Sequence, residues 1–225
     1  MKRTRIYKYV LPAAVICMAS CVSKNEYTIS GKLSDAAFEG ANVFIFNVEN
    51  QSEKLDSTIV VDGAFTLKGE LESPVVAKLV TLTTDNKHKV MECVLENGNI
   101  VVDLDENQLS GTPQNEALAQ MVATGSEEKA FMRELYKEYF AAATEEERKF
   151  FEAKYDSVSK ICIAKEIAAF EKTYSENSNN VLGAYALYQL IKNKRDAGEI
   201  TSAQVDSMLN GAAPVVANFS LTQKV

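Results

Sequence analysis

The residues best placed to do chemistry stand near the start of the chain. Ala19 and Ser20 immediately precede Cys21. Two small side chains before a cysteine are what a lipoprotein signal peptidase requires: they fit its cleft, and the thiol accepts a diacylglycerol. Upstream, Lys2, Arg3, Arg5 and Lys8 make a basic start, and the mostly apolar residues 10–19, interrupted by Pro12, follow. As a helix that run would cover roughly 15 Å, half the hydrocarbon thickness a spanning segment needs. It reads as the core of a signal peptide rather than a membrane anchor. Met18 stands where Leu is usual, and its unbranched apolar side chain fills the same pocket. Each buried CH₂ contributes about 0.8 kcal/mol, and stable anchoring takes more than one chain. A diacylated and N-acylated Cys21 is therefore expected to hold the protein firmly to a membrane.

The other reactive side chains have weaker claims. Cys17 leaves with the signal peptide. Cys93 shares one face of an alternating run with Met91 and Leu95, and Cys162 lies on a helical apolar stripe with Phe151, Tyr155 and Val158. Both positions read as core, where a free cysteine behaves as a small hydrophobe. There is no Cys-x-x-Cys. His88, the single histidine, falls in a polar turn at residues 85–88 and is expected to be solvated rather than a general base. Glu127-Glu128 and Glu145-Glu146-Glu147 stand at expected helix starts, where negative charge favours the helix dipole. No His or Cys cluster has metal-ligand spacing, and no Gly-rich loop leads from a strand into a phosphate-binding helix. The sequence thus offers no catalytic, metal or cofactor site, and Cys21 is the site residue it does offer.

Charge narrows the partners. Removing residues 1–20 takes away four basic and no acidic residues, so the formal net charge moves from −7 to −11. Nucleic acid is an unfavourable partner, because phosphate binding needs a basic face, and anionic membrane surfaces are disfavoured for the same reason. The remaining chain of about 200 residues suffices for one large or two small cores.

The elements that must position these residues follow two periodicities. Residues 27–112 alternate with period two between turns: Tyr27, Ile29 and Gly31; an apolar run at 43–46; 57–61, Asp62-Gly63 and 64–69 as a hairpin; 75–83 and 89–95 as a second pair; then Asn97-Gly98 into 100–105. Seven or so short strands at this spacing predict an antiparallel β-sandwich. From Thr112, a predicted N-cap with Pro113 at the first helical position, the period becomes helical. Residues 114–143 carry Phe131, Leu135 and Tyr139 beside Met132, Tyr136 and Phe140, with Gly125 a point of kinking or division. Thr144 to Glu147 has capping-box form and opens a second long helix. Its stripe runs Phe151, Tyr155, Val158 and Cys162, then Ile163, Ile167, Phe170 and Tyr174, a spacing that predicts a long antiparallel helical hairpin. Residues 181–194 and 201–209 make two further helices. The organisation is α+β: signal peptide 1–20, lipidated linker 21–26, β-sandwich 27–112, helical region 113–210, and a tail 211–225 with no compact element.

Several of these positions carry a resemblance. Tyr27-x-Ile29-x-Gly31, Leu55-Asp56-Ser57-x-x-Val60-x-Asp62-Gly63-x-Phe65-x-Leu67-x-Gly69, Leu95-Glu96-Asn97-Gly98 and Leu109-Ser110-Gly111-Thr112-Pro113-x-Asn115 resemble the uncharacterised N-terminal β-domain of Bacteroidetes-type lipoproteins. Glu176-Asn177-x-x-Asn180-x-x-Gly183-x-Tyr185 is similar to a recurrent turn in the helical part of that family, with Ser178 where Pro is common. In the family these regions commonly precede a thioredoxin-like domain of the peroxiredoxin type. That domain would begin about where this chain stops, and its tryptophan-bearing Cys-x-x-Cys has no counterpart here. The resemblance therefore implies fold and export and carries over no thiol-disulfide activity.

Three functions are compatible with these observations. The first is a non-catalytic envelope protein that binds or positions a partner. The second is an accessory to thiol-disulfide exchange, as a split or truncated thioredoxin-like lipoprotein. The third is a surface protein binding glycan or peptide through exposed aromatics such as Phe44 or Phe46. Val22 after the lipidated cysteine, with no Asp to retain the protein at the inner membrane, favours the outer membrane. Ser23-Lys24-Asn25-Glu26, which is not an acidic cluster, favours its periplasmic face over the cell surface.

Overall fold

Alternating burial runs through eight strands of the computed structural model, which describes residues 26–224. Cys21 and the signal segment lie outside the described residues. One sheet is built from β1 (Glu26–Lys32), β4 (Ala64–Glu70), β7 (Gly98–Asp103) and β8 (Gln108–Ser110), in the order β4-β1-β7-β8. The other holds β2 (Asn42–Asn47), β3 (Lys54–Ile59), β5 (Val75–Leu82) and β6 (His88–Leu95), in the order β3-β2-β5-β6. Side chains of a strand alternate between its faces. Ile29 of β1, Leu79 of β5, Cys93 of β6 and Ile100 of β7 accordingly share one core between the sheets.

Two features depart from a wholly antiparallel sandwich. β1 pairs with β7 in parallel, Ile29 opposite Ile100, while the other ladders are antiparallel. Period two is the same for either direction, so alternation could not distinguish them. The chain returns to the first sheet through Gly98, whose φ of 125° is open to glycine. The Asp62-Gly63 turn forms as its residues dictate, both with positive φ, closing a bridge between Val61 and Ala64. It does not make a two-stranded hairpin: β3 and β4 belong to opposite sheets. Val60 is fully buried and bonds back to Ala41, which turns the chain across the sandwich before β4 begins.

The helices are α1 (Pro113–Ala123), α2 (Ser126–Ala141), α3 (Glu145–Glu176), α4 (Val181–Asp196), α5 (Ser202–Asn210) and α6 (Pro214–Ala217). Gly125 divides the first helical run. It caps α2 with φ 76°, and a Cβ there would lie 2.9 Å from Cys162 Sγ. The tail is a second correction. α6 and the residues after it bury Val216 and Phe219 in the helical core, and the Ser220 N–H donates to Glu49 Oε2 at 2.6 Å. α6 is a single helical turn, too short to show a period in the sequence, and it fills the space beside α4.

Helices and sandwich share this second core, because the outer face of the β5-β6 sheet supplies Val76 and Val94 to it. The joint is polar and fully satisfied. Asn115 is completely buried: it accepts from the Val94 N–H at 2.8 Å and donates to the Val94 carbonyl at 2.7 Å. Its amide also donates to the Thr112 hydroxyl at 2.7 Å. Thr112 does occupy the N-cap, but its side chain serves Asn115 rather than the helix backbone. Glu96 accepts from both the backbone N–H and the side-chain amide of Gln114 at 2.8 Å, a carboxylate at a helix N-terminus. Gln114 in turn accepts from the Leu182 N–H at 3.2 Å, tying α4 to the same point.

The turn from α3 into α4 explains another of the motifs. Asn180 accepts from the Gly183 N–H at 3.0 Å and donates to Asn177 at 2.9 Å. A Cβ on Gly183 would stand 1.9 Å from the Asn177 carbonyl oxygen, so close approach requires the glycine.

Replacing Asn115 with Leu keeps the volume and orphans both backbone groups of Val94. At about 1–3 kcal/mol for each buried group left unsatisfied, the urea midpoint should fall by roughly 1 M. An unchanged midpoint would show that the clasp contributes nothing to stability.

Candidate functional site

The helical hairpin predicted from the aromatic stripe is present, and most of it stands clear of the body. At 1.5 Å per residue, α2 is about 24 Å long and α3 about 48 Å. The C-terminal part of α3 buries Cys162, Phe170 and Thr173, whereas its N-terminal half, against α2, leaves Phe150 and Tyr155 exposed, with Ile161 exposed just beyond. α2 buries one large side chain, Leu135, and exposes Phe131, Tyr136 and Phe140. Phe140 and Phe150 keep 66% and 61% of their surface in solvent, which sets them apart from ordinary core-facing positions. The rings are organised: Tyr136 and Phe140 meet edge-on at 4.7 Å, Phe150 and Phe151 at 5.4 Å. Lys154 spans the two helices, its ammonium 5.1 Å from the Phe131 ring centre and 5.8 Å from that of Phe150.

The arm is fixed at both ends. At its tip Thr144 and Glu147 complete the capping box, and hydrogen bonds from Thr144 hold the Glu147 carboxyl below its usual range. At its root Glu128 pairs with Lys165, and Lys129 pairs with Glu166 at 2.6 Å. Glu128 thus does more than complement a helix dipole, and the pairing lowers its carboxyl's affinity for a proton.

Where α1 leads into the arm, a crevice of about 740 Å³ opens between β6, β8 and α1. Leu118 and Val122 form one wall, Leu109 and Ser110 another, with Lys78, Val90 and Glu92 along the sheet. Beyond its lining, Tyr185 of α4 donates to Glu92 Oε2 at 2.5 Å and accepts from the Gln189 amide at 2.6 Å. Burial, then the Glu92 charge, pushes the Tyr185 hydroxyl well above its usual range, so it stays a donor to Glu92. Tyr185 and Asn115 entered the sequence reading through resemblance alone. Glu92, Gln189 and Lys78 had no local signal, because each acts through partners distant in sequence.

Other candidate residues lie apart. Cys93 and Cys162 are both buried and unbonded, one inside the sandwich and the other against Gly125. Burial, with the Glu92 charge, pushes the Cys93 thiol up to about 12. His88 is not in the turn but is the exposed first residue of β6. Phe44 and Phe46 are half-buried on the outer face of β2, their rings 6.1 Å apart. They are less exposed than expected of a glycan-stacking platform.

The fold is therefore α+β, a two-sheet, largely antiparallel β region continued by a helical region. Residues 27–129 match the model of a family described as a domain of unknown function (DUF4369), a stretch running from β1 through α1 into the first residues of α2. No curated protein and no solved structure matches the chain.

The Cys93 thiol gives a pH test. Unfolded, it ionises near 9.0; folded, it keeps its proton to about 12. Between these values the unfolded state has released a proton that the folded state retains, so stability falls as pH rises. Denaturation of Cys93→Ala from pH 8 to 11 should show a slope shallower by about one proton. An identical slope would mean that the thiol is not sealed in the core.

Proposed function

We propose that the chain is a lipid-anchored cell-envelope protein of non-catalytic role, tethered through Cys21 at the periplasmic face of the outer membrane, whose helical arm holds a protein partner. The observation that carries this reading is the arm's row of solvent-facing rings, Phe131, Tyr136, Phe140 and Phe150. Large apolar side chains gathered on one exposed element mark an interaction surface, and aromatic residues dominate the energetics of protein interfaces. A protein surface suits the arm better than an anionic bilayer does, because the tip carries Glu145, Glu146 and Glu147 where membrane-surface segments carry basic residues.

Tethering supports the same reading. The residues from Cys21 to Asn25, even fully extended, reach at most about 18 Å, so the body works close to the bilayer and meets partners there. The companion thioredoxin-like domain of the resembling lipoproteins motivates the second reading, an accessory to thiol-disulfide exchange. Two buried thiols give it no direct chemistry, so it too would act by binding.

Two measurements in cells test the proposal. With a photo-crosslinking amino acid at Phe140, irradiation should yield one adduct of defined mass, lost on Phe150→Ser and absent when the crosslinker replaces exposed Lys68 on the sandwich. Cys21→Ser should abolish incorporation of labelled palmitate and release the chain from the membrane fraction. Adducts to lipid alone, or no adduct at Phe140, would overturn the partner-binding arm; palmitate incorporation that persists in Cys21→Ser would overturn the anchor.

A further inference from the structure

The crevice at the arm's root contains a length of strand edge that the chain leaves half used. β6 is the last strand of its sheet, and at Val94 the outward N–H and C=O are both taken by Asn115. Outward-facing backbone groups recur at every second residue of an edge strand. The N–H and C=O of Glu92 and Val90 therefore face the crevice too, and among the described residues no other segment bonds to them. Proteins normally blunt such edges with a bulge, a proline or a cover. Here the register with β5 runs unbroken from His88 to Leu95, and the edge is recessed instead. With β8 on one side and Ala119 and Val122 of α1 on the other, the edge is flanked by other elements rather than bare.

The side chains define which end of such a chain enters. Asn115 occupies the next edge position, so an added strand must stop beside Glu92. Glu92 already accepts from Tyr185. Lys78, its cross-strand partner on β5, also lines the crevice and forms no ion pair among the described residues. A strand that must end beside a free ammonium is matched by a terminal carboxylate. We infer that the crevice binds the C-terminal residues of a partner polypeptide, added as an extra strand on β6 with the carboxylate at Lys78 and alternate apolar side chains against Ala119 and Val122. Main-chain bonds would supply affinity, and the flanking apolar walls selectivity. The volume of about 740 Å³ suits a short peptide. This site is independent of the aromatic arm and stands or falls without it.

The test uses the mature chain with Cys21→Ser and two pools of pentapeptides built from Val, Ile, Leu, Phe, Thr and Ser, one with free C-terminal carboxylates and one amidated. Peptides retained on the immobilised protein are read by mass spectrometry. Free-acid members should be enriched at least tenfold over amidated ones. Val90→Pro removes an edge N–H without touching the ladder to β5, a change that edge strands accept, and it should abolish retention. Lys78→Gln should keep weak retention while erasing the preference for the carboxylate. If Val90→Pro fails to fold, Val122→Arg, at a half-exposed wall position, should block the crevice equally. Retention of neither pool, equal retention of both, or undiminished retention by the blocked variant would overturn the site. An acid preference that survives Lys78→Gln would overturn the placing of the carboxylate.

Discussion

One side chain governs how the two halves of this protein are joined. Asn115 presents an amide that copies a peptide unit, and with it α1 bonds to the N–H and C=O of Val94 as a neighbouring strand would. A buried backbone pair at a sheet edge cannot go unsatisfied without cost, and a helix has no free backbone groups along its flank to offer. An asparagine within the first turn of α1 resolves both constraints, and Glu96 with Gln114 and Thr112 fix the helix around it. From that point Val76 and Val94 can enter the same apolar cluster as Leu118, Leu187 and Phe219.

The two faces of the β5-β6 sheet thereby take different roles. The inner face closes the sandwich. The outer face is covered by helices at the Val94 end and stays open at the Val90 end, which leaves the crevice. α3 repeats the division on a larger scale: its C-terminal part is bolted to α1 and α4, and its N-terminal part, among the described residues, leaves the body paired with α2. Two helices alone cannot bury every aromatic residue of both, so the arm's exposed rings follow from its geometry. Lys154 between Phe131 and Phe150 covers some of that surface with its aliphatic stem.

Local chemistry made much of this legible in the sequence. The capping box at Thr144, the break at Gly125 and the alternation of Met91, Cys93 and Leu95 each rest on residues a few positions apart, and each stands in the structure as read. Legibility ended where partners are remote. Asp62-Gly63 specifies a tight turn but not which sheets its flanks join, and period two is blind to the parallel pairing of β1 with β7. The tail is too short to show a helical period, since Val216 and Phe219 gain meaning only from the space beside α4. Glu92, Tyr185 and Gln189 form a chain across 93 residues of sequence separation, and Lys78 matters for the pairing it lacks. Some of the motifs quoted for the resemblance prove to be joints: Glu96 and Asn115 hold α1 to the end of β6, and Asn180 with Gly183 fixes the turn from α3 into α4.

Amide hydrogen exchange along β6 tests the central claim most directly, because it reads each edge group separately. If Asn115 serves as the missing strand, the Val94 amide should exchange as slowly as the core ladder amides Cys93 and Met91. The Glu92 and Val90 amides, on the same side of the same strand, should exchange orders of magnitude faster. A Val94 amide that exchanges as fast as its two neighbours on that side would contradict the account.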